Sequence, residues 1–196
     1  MSRTLSTLDQ LISGADRALR TVFSSAPVPA RENPAADHPE TVHDERARRH
    51  VAGLMRVNHA GEIAAQGLYQ GQAATARLAE VRESMEIAAD EENDHLAWCQ
   101  DRLTELGSRP SLLNPVWYAG AFAIGATAGL VGDRWSLGFV AETEHQVVRH
   151  LEQHLTRLPE QDQRSRAIRE QMKSDEQRHG AKAEDAGAAA LPAPGR

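Results

Sequence analysis

Glu92-Asn93-Asp94-His95 is answered 84 residues further on by Glu176-Gln177-Arg178-His179, and this pair of short motifs decides the fold. On a helix, residues three apart share a face, so each motif directs a carboxylate and an imidazole towards one point. One such motif is weak, because Glu and His are common on solvated faces. Its repetition is informative. Working outward, Glu62 precedes Glu92 by 30 residues and Glu144 precedes Glu176 by 32, so a unit of Glu followed by Glu-x-x-His occurs twice. Each unit makes a helical hairpin, and two hairpins make a four-helix bundle. Two Glu residues on two helices with Glu-x-x-His on the other two is the pattern of di-iron and di-manganese bundle proteins.

The surrounding residues support inward-facing helices. Met55, His59, Ala65 and Tyr69 share the stripe of Glu62; Met85, Ala88, Cys99 and Leu103 share that of Glu92; Leu137, Val140, Val148 and Leu151 share that of Glu144. Carboxylates on apolar stripes are costly to bury without compensation. Four glutamates carry four negative charges, which two divalent cations neutralise. Carboxylate oxygens with one imidazole per metal favour iron or manganese over zinc. The expected metal set is therefore Glu62, Glu92, His95, Glu144, Glu176 and His179. Glu142 competes with Glu144, but the repeat offset and the helical register favour Glu144. His59 and Tyr69 flank Glu62 and are candidates for contacts behind the ligands or for proton delivery; a satisfied polar core residue is the plainer reading of each. Asp175 is placed to hold a ligating His in one tautomer.

The rest of the chain fits one all-α domain. Its 196 residues are 40% hydrophobic and only 4% aromatic, which favours helices over a sandwich or barrel. A net charge of -6 provides no basic field for nucleic acid. The single cysteine, Cys99, excludes an internal disulfide framework and fits a reducing compartment. No secretory signal is apparent at the N-terminus. Leu5, Leu8, Ile12, Ala15, Leu19 and Val22 predict an amphipathic helix in residues 1–23. Residues 24–43, with Pro27, Pro29, Pro34 and Pro39, read as a linker. The main domain is expected over 44–187, with helices at 44–79, 81–106, 115–132, 135–158 and 160–186, and a disordered tail at 188–196. No Gly-rich nucleotide loop follows a strand.

The uncharged run from Trp117 to Gly132 would extend roughly 24 Å as a helix, short of the ~30 Å hydrocarbon core. Trp117, Tyr118 and Trp135 lie near its ends, where interfacial aromatics are favoured. A buried crossover helix competes with an element dipping into one leaflet; the second is the expectation.

Leu54-Met55-Arg56-Val57-Asn58-His59-Ala60-Gly61-Glu62 resembles the opening motif of the demethoxyubiquinone hydroxylase family, the di-iron enzymes of ubiquinone biosynthesis. Asp90-Glu91-Glu92-Asn93-Asp94-His95, Glu142-Thr143-Glu144-His145-Gln146-Val147 and Asp175-Glu176-Gln177-Arg178-His179 extend the resemblance from about Arg46 to the last helix. It implies a ferritin-like fold with two iron ions, Glu62 and Glu144 terminal, Glu92 and Glu176 bridging, and one His on each iron. It implies an O2-dependent monooxygenase that hydroxylates a polyprenylated methoxy-methyl-benzoquinol, demethoxyubiquinol, to 3-demethylubiquinol, the penultimate step of ubiquinone biosynthesis. NADH would serve as external reductant. His150, six residues after Glu144, falls where the family has a histidine near the quinone; a locally bonded surface His is the competing reading. Peripheral attachment to the cytoplasmic side of the cell membrane is implied, with room for ubiquinone-biosynthesis complex partners and homo-oligomers. The competing functions are a ferritin-like ferroxidase or peroxide scavenger, and a metal-free helical scaffold.

Overall fold

A computed structural model describes residues 6–23 and 28–191. Leu5, Pro27 and the last five positions of the expected tail lie outside them. Among the described residues six helices follow in order: α1 (Thr7–Phe23), α2 (Glu45–Thr75), α3 (Ala79–Glu105), α4 (Asn114–Val131), α5 (Asp133–Arg157) and α6 (Gln163–Asp185). Among the described residues there is no strand. The class is all-α: hairpins α2–α3 and α5–α6 form a ferritin-like four-helix bundle, and α4 crosses between them.

Named contacts explain several helix ends. Asp44 caps α2 by accepting the Ala47 N–H at 2.8 Å, and Asp162 caps α6 by accepting that of Ser165 at 3.0 Å. The last helix therefore starts after Asp162, not at Glu160, because Pro159–Asp162 closes a turn of its own. Helix α3 stops where Gly107 takes φ +67° and the Ser108 N–H returns to the Leu103 carbonyl, a left-handed cap suited to glycine. Helix α2 ends at Thr75, four residues before the periodicity predicts. The Asp133 carboxylate, at the start of α5, accepts the N–H groups of Arg77 and Leu78 at 3.0 and 2.9 Å and draws the chain out of the helix.

Two apolar clusters fill the bundle, one towards each end. Met55, Trp98, Cys99, Leu103, Leu151, Ile168 and Met172 belong to the first; Tyr69, Met85, Leu137, Val140 and Ala183 belong to the second. Along each bundle helix the motif glutamate lies between members of the two clusters, so the polar site occupies the middle of the bundle.

The described part of the Pro-rich segment, residues 28–43, packs on the bundle as a strap rather than a free tether. Ala35 and Val42 are buried in the first cluster, Glu40 meets Arg102, and Arg31 reaches Asp94 and Asp175. The start of the expected tail is also held. Ala189 donates its N–H to the Arg134 carbonyl at 2.8 Å, and Ala188 packs on the second cluster.

Helix α4 lies along α2 on a seam of glycines. A Cβ at Gly71 would sit 2.3 Å from the Phe122 carbonyl oxygen, and one at Gly125 would sit 2.1 Å from that of Leu68. Both obstacles are backbone, so a larger residue forces the helices apart. Gly125→Leu is expected to destabilise the fold by about 1–3 kcal/mol, the range for overpacking. Thermal unfolding measures it; an unchanged midpoint would contradict this close approach.

Candidate metal centre

The structure brings together the six residues expected from the sequence. Ligand atoms of Glu62, Glu92, His95 and Glu176 lie within 4.8 Å of one another, as do those of Glu144, Glu176 and His179. All six are buried. Glu176 belongs to both groups. Glu92 touches both histidines, with Oε2 2.7 Å from His95 Nδ1 and Oε1 3.2 Å from His179 Nδ1. Glu144 rather than Glu142 faces the cluster; Glu142 is partly exposed and bonds Gln146 and Arg149.

Both imidazoles turn Nδ1 inward and Nε2 outward. His95 Nδ1 lies 3.2 Å from Glu176 Oε1, while its Nε2 meets Asp175 Oδ2 at 2.9 Å. His179 Nδ1 lies 3.1 Å from Glu176 Oε2, while its Nε2 meets Glu91 Oε2 at 2.5 Å. A carboxylate behind Nε2 favours the tautomer with hydrogen on Nε2 and a free lone pair on Nδ1, as metal ligation requires.

The electrostatics ask for positive charge. Burial pushes Glu62 and Glu144 well above the carboxylate range, and the neighbouring Glu92 and Glu176 add to it. Burial would also raise Glu92, but His95 and His179 outweigh it and hold that carboxyl low. Burial alone would lower His179, yet the Glu176 and Glu92 carboxylates, 3.1 and 3.2 Å from its Nδ1, bring it up to about 11. Glu92 Oε1 is buried and makes no hydrogen bond. Crowded carboxylates, an orphaned buried oxygen and two inward Nδ1 atoms fit a pair of divalent cations.

The other candidates separate. The Tyr69 hydroxyl donates to Glu144 Oε1 and is buried. His59 is buried with an unpartnered Nδ1, burial lowers it to about 4, and it makes no hydrogen bond or ion pair to the cluster among the described residues. His150 lies tilted against His154, with ring centroids 3.9 Å apart, and burial followed by the charges of Arg169 and Arg157 lowers it. Sequence reasoning missed Glu91, although it precedes Glu92 just as Asp175 precedes Glu176.

A cavity of about 280 Å³ opens beside the cluster, walled by Tyr69, Met85, Ala88, Val140, His179 and Ala183. Its mouth carries Glu83 and Lys182. The cavity is mostly apolar and reaches the His179 side of the cluster, so an apolar molecule with a polar ring could approach a metal there.

Comparison with known proteins agrees with this geometry. The family described as "Ubiquinone biosynthesis protein COQ7" matches residues 49–194. A 3-demethoxyubiquinol 3-hydroxylase of Xanthomonas euvesicatoria pv. vesicatoria is 62% identical over 193 residues, covering 98% of this chain and 88% of its own. One from Alcanivorax borkumensis is 58% identical over 200 residues, covering 99% of this chain and 91% of its own. With a match across most of its length and the repeated carboxylate and histidine cluster at its centre, the chain belongs to the COQ7 family of ubiquinone-biosynthesis proteins.

Proposed function

We propose that this chain is a di-iron 3-demethoxyubiquinol 3-hydroxylase, adding a hydroxyl to the free ring carbon of a polyprenylated methoxy-methyl-benzoquinol. The observation that carries the reading is the six-residue buried cluster beside an apolar cavity, in a chain so similar to relatives of that name. Glu62, Glu92 and His95 would hold one iron and Glu144 and His179 the other, with Glu92 and Glu176 shared between them. When bound and reduced, the two irons supply two electrons to O2 together and so avoid a free one-electron product.

The protein's own residues do the rest. Asp175 and Glu91 hold the histidine rings with Nδ1 inward. Tyr69 fixes Glu144 by donating to Oε1, and it also lines the cavity. Met85, Ala88, Val140 and Ala183 exclude water from that side and accept the apolar body of the substrate. The described residues form no dinucleotide fold, so NADH would act as an external reductant.

A membrane-soluble substrate also calls for a membrane surface. No described helix is long and apolar enough to cross a membrane. Helix α4 turns Tyr118, Gly125 and Gly129 inward and leaves Val116, Trp117, Ile124, Leu130 and Val131 exposed, with Trp135 beyond its end. This face supports peripheral attachment by α4 to the cytoplasmic leaflet of the cell membrane. Co-sedimentation with liposomes tests it; protein that stays wholly in the aqueous fraction would rule it out. Quinone profiling of a deletion strain tests the reaction. The demethoxy intermediate is expected to accumulate. An unchanged quinone pool would return the chain to the ferroxidase or peroxide-scavenging reading.

A further inference from the structure

The two carboxylates behind the histidines are equivalent in the repeat and unequal in their setting. Asp175 on α6 holds His95 on α3, and Glu91 on α3 holds His179 on α6, so each motif helix orients the other's imidazole. The Asp175 side chain is 1% exposed, whereas that of Glu91 is 35% exposed and forms part of the cavity wall. Apart from His179, Glu91 is met by one exposed ammonium, Lys182 Nζ at 3.5 Å. Asp175 is held on every side. Its Oδ1 accepts from Gln171 at 3.0 Å and from Arg178, and its Oδ2 accepts from Arg31 Nη1 at 2.8 Å as well as from His95.

Arg31 belongs to neither motif helix. It comes from the strap, 144 residues before Asp175, and its fork spans two helices: Nε donates to Asp94 Oδ2 on α3 at 2.6 Å while Nη1 reaches α6. Its guanidinium lies 4.8 Å from the centre of the Trp98 ring, and that ring is 5.5 Å from the His95 ring. The adjoining Ala30 N–H donates to Asp94 Oδ1 at 2.6 Å and fixes the strap where the side chain enters.

We propose that Arg31 is a positioning residue for the His95 half of the centre: it locks the Asp175–His95 pair from outside the bundle and makes the two metal positions unequal. The inference rests on the metal reading above. A carboxylate behind a ligating histidine sets ring orientation, and loss of such outer contacts weakens metal binding by about 10–100-fold. The lock depends on the planar fork, because Asp94 and Asp175 are met from two nitrogens held in one rigid plane, whereas lysine has a single, freely rotating nitrogen. The His95 position therefore keeps its metal, and the His179 position, beside the open cavity, exchanges it.

The test is titration of full-length apoprotein with cobalt(II), followed by release to a chelator, for the wild type, Arg31→Ala, Arg31→Lys and Glu91→Gln. Wild type is expected to bind two equivalents and release them in a fast and a slow phase. Arg31→Ala and Arg31→Lys are each expected to weaken the slow equivalent by about 10-fold or more and spare the fast one. Glu91→Gln is expected to do the reverse. The apoprotein's helical circular dichroism provides the folding control, and Arg31→Lys, which retains the charge, carries the test if the alanine variant misfolds. Two equivalents left unchanged in both Arg31 variants, or weakened equally, would overturn the inference and leave the metal centre standing. Fewer than one equivalent in the wild type would remove both.

Discussion

Glu176→Ala is expected to lose both metal ions and at least ~100-fold in hydroxylation rate, because loss of even an outer contact to a metal ligand costs 10–100-fold. Glu176 is the carboxylate common to both ligand groups, with one oxygen 3.2 Å from His95 Nδ1 and the other 3.1 Å from His179 Nδ1. No neighbour can replace it: Asp175 points outward to His95 Nε2, and Tyr69 donates to Glu144. The same substitution is expected to destabilise the metal-free protein as well, because it removes the carboxylate that lies within 3.2 Å of both inward Nδ1 atoms. Metal should then raise the thermal midpoint of the wild type but not of the variant. Iron content and the midpoint with and without metal measure both effects; a variant that keeps two irons contradicts the assignment.

Arg102→Leu is expected to destabilise the fold by about 3–5 kcal/mol, the range for stranding one partner of a buried ion pair. For a chain of this size that lowers the thermal midpoint by roughly 6–20 °C. Arg102 is fully buried on α3 and bonds four residues: Glu40 at 2.5 Å, Glu105 at 2.8 Å, Asp162 at 3.1 Å and Ser165 at 2.9 Å. It thereby ties the strap and α3 to the N-terminal cap of α6, the helix that carries Glu176 and His179. Leucine leaves the Asp162 carboxylate buried without a cation. Burial alone would raise Glu40 and Glu105, but their hydrogen bonds to arginine hold both below the ordinary value of 4.5. A carboxylate held low in the folded state stabilises above its unfolded value, and that contribution fades as the pH falls through the folded one. The deficit of the variant is therefore expected to shrink as the pH falls below about 4.5. A midpoint within about 2 °C of the wild type at neutral pH would contradict the role of Arg102 as a hub.

The chemistry of this protein was legible because metal ligands on helices leave a periodic trace. Glu-x-x-His written twice, each with a Glu about 30 residues before it, located the bundle helices and the residues at their centre. What escaped depends on contacts between distant segments. Arg31 carries no motif, and its partner lies 144 residues away. The end of α2 is set by Asp133, a residue the local pattern around Thr75 knows nothing about. Prolines made residues 24–43 read as a spacer, although Ala35 and Val42 are core. The apolar run around Phe122 was conspicuous, yet its inner face was written in Gly125 and Gly129, matched by Gly67 and Gly71, and a search for bulky apolar residues passes over glycines. His150 followed from the family resemblance, and in the structure its ring lies tilted against that of His154.

The most direct test of the central claim is turnover of the iron-loaded chain under isotopically labelled dioxygen, with NADH and a short-chain demethoxyquinol, followed by mass spectrometry of the quinol. The expected product carries one labelled oxygen at the free ring carbon, and it is absent when Glu176→Ala replaces the wild type. Iron bound at two per chain with no labelled quinol, or with the new oxygen drawn from water, would contradict the account.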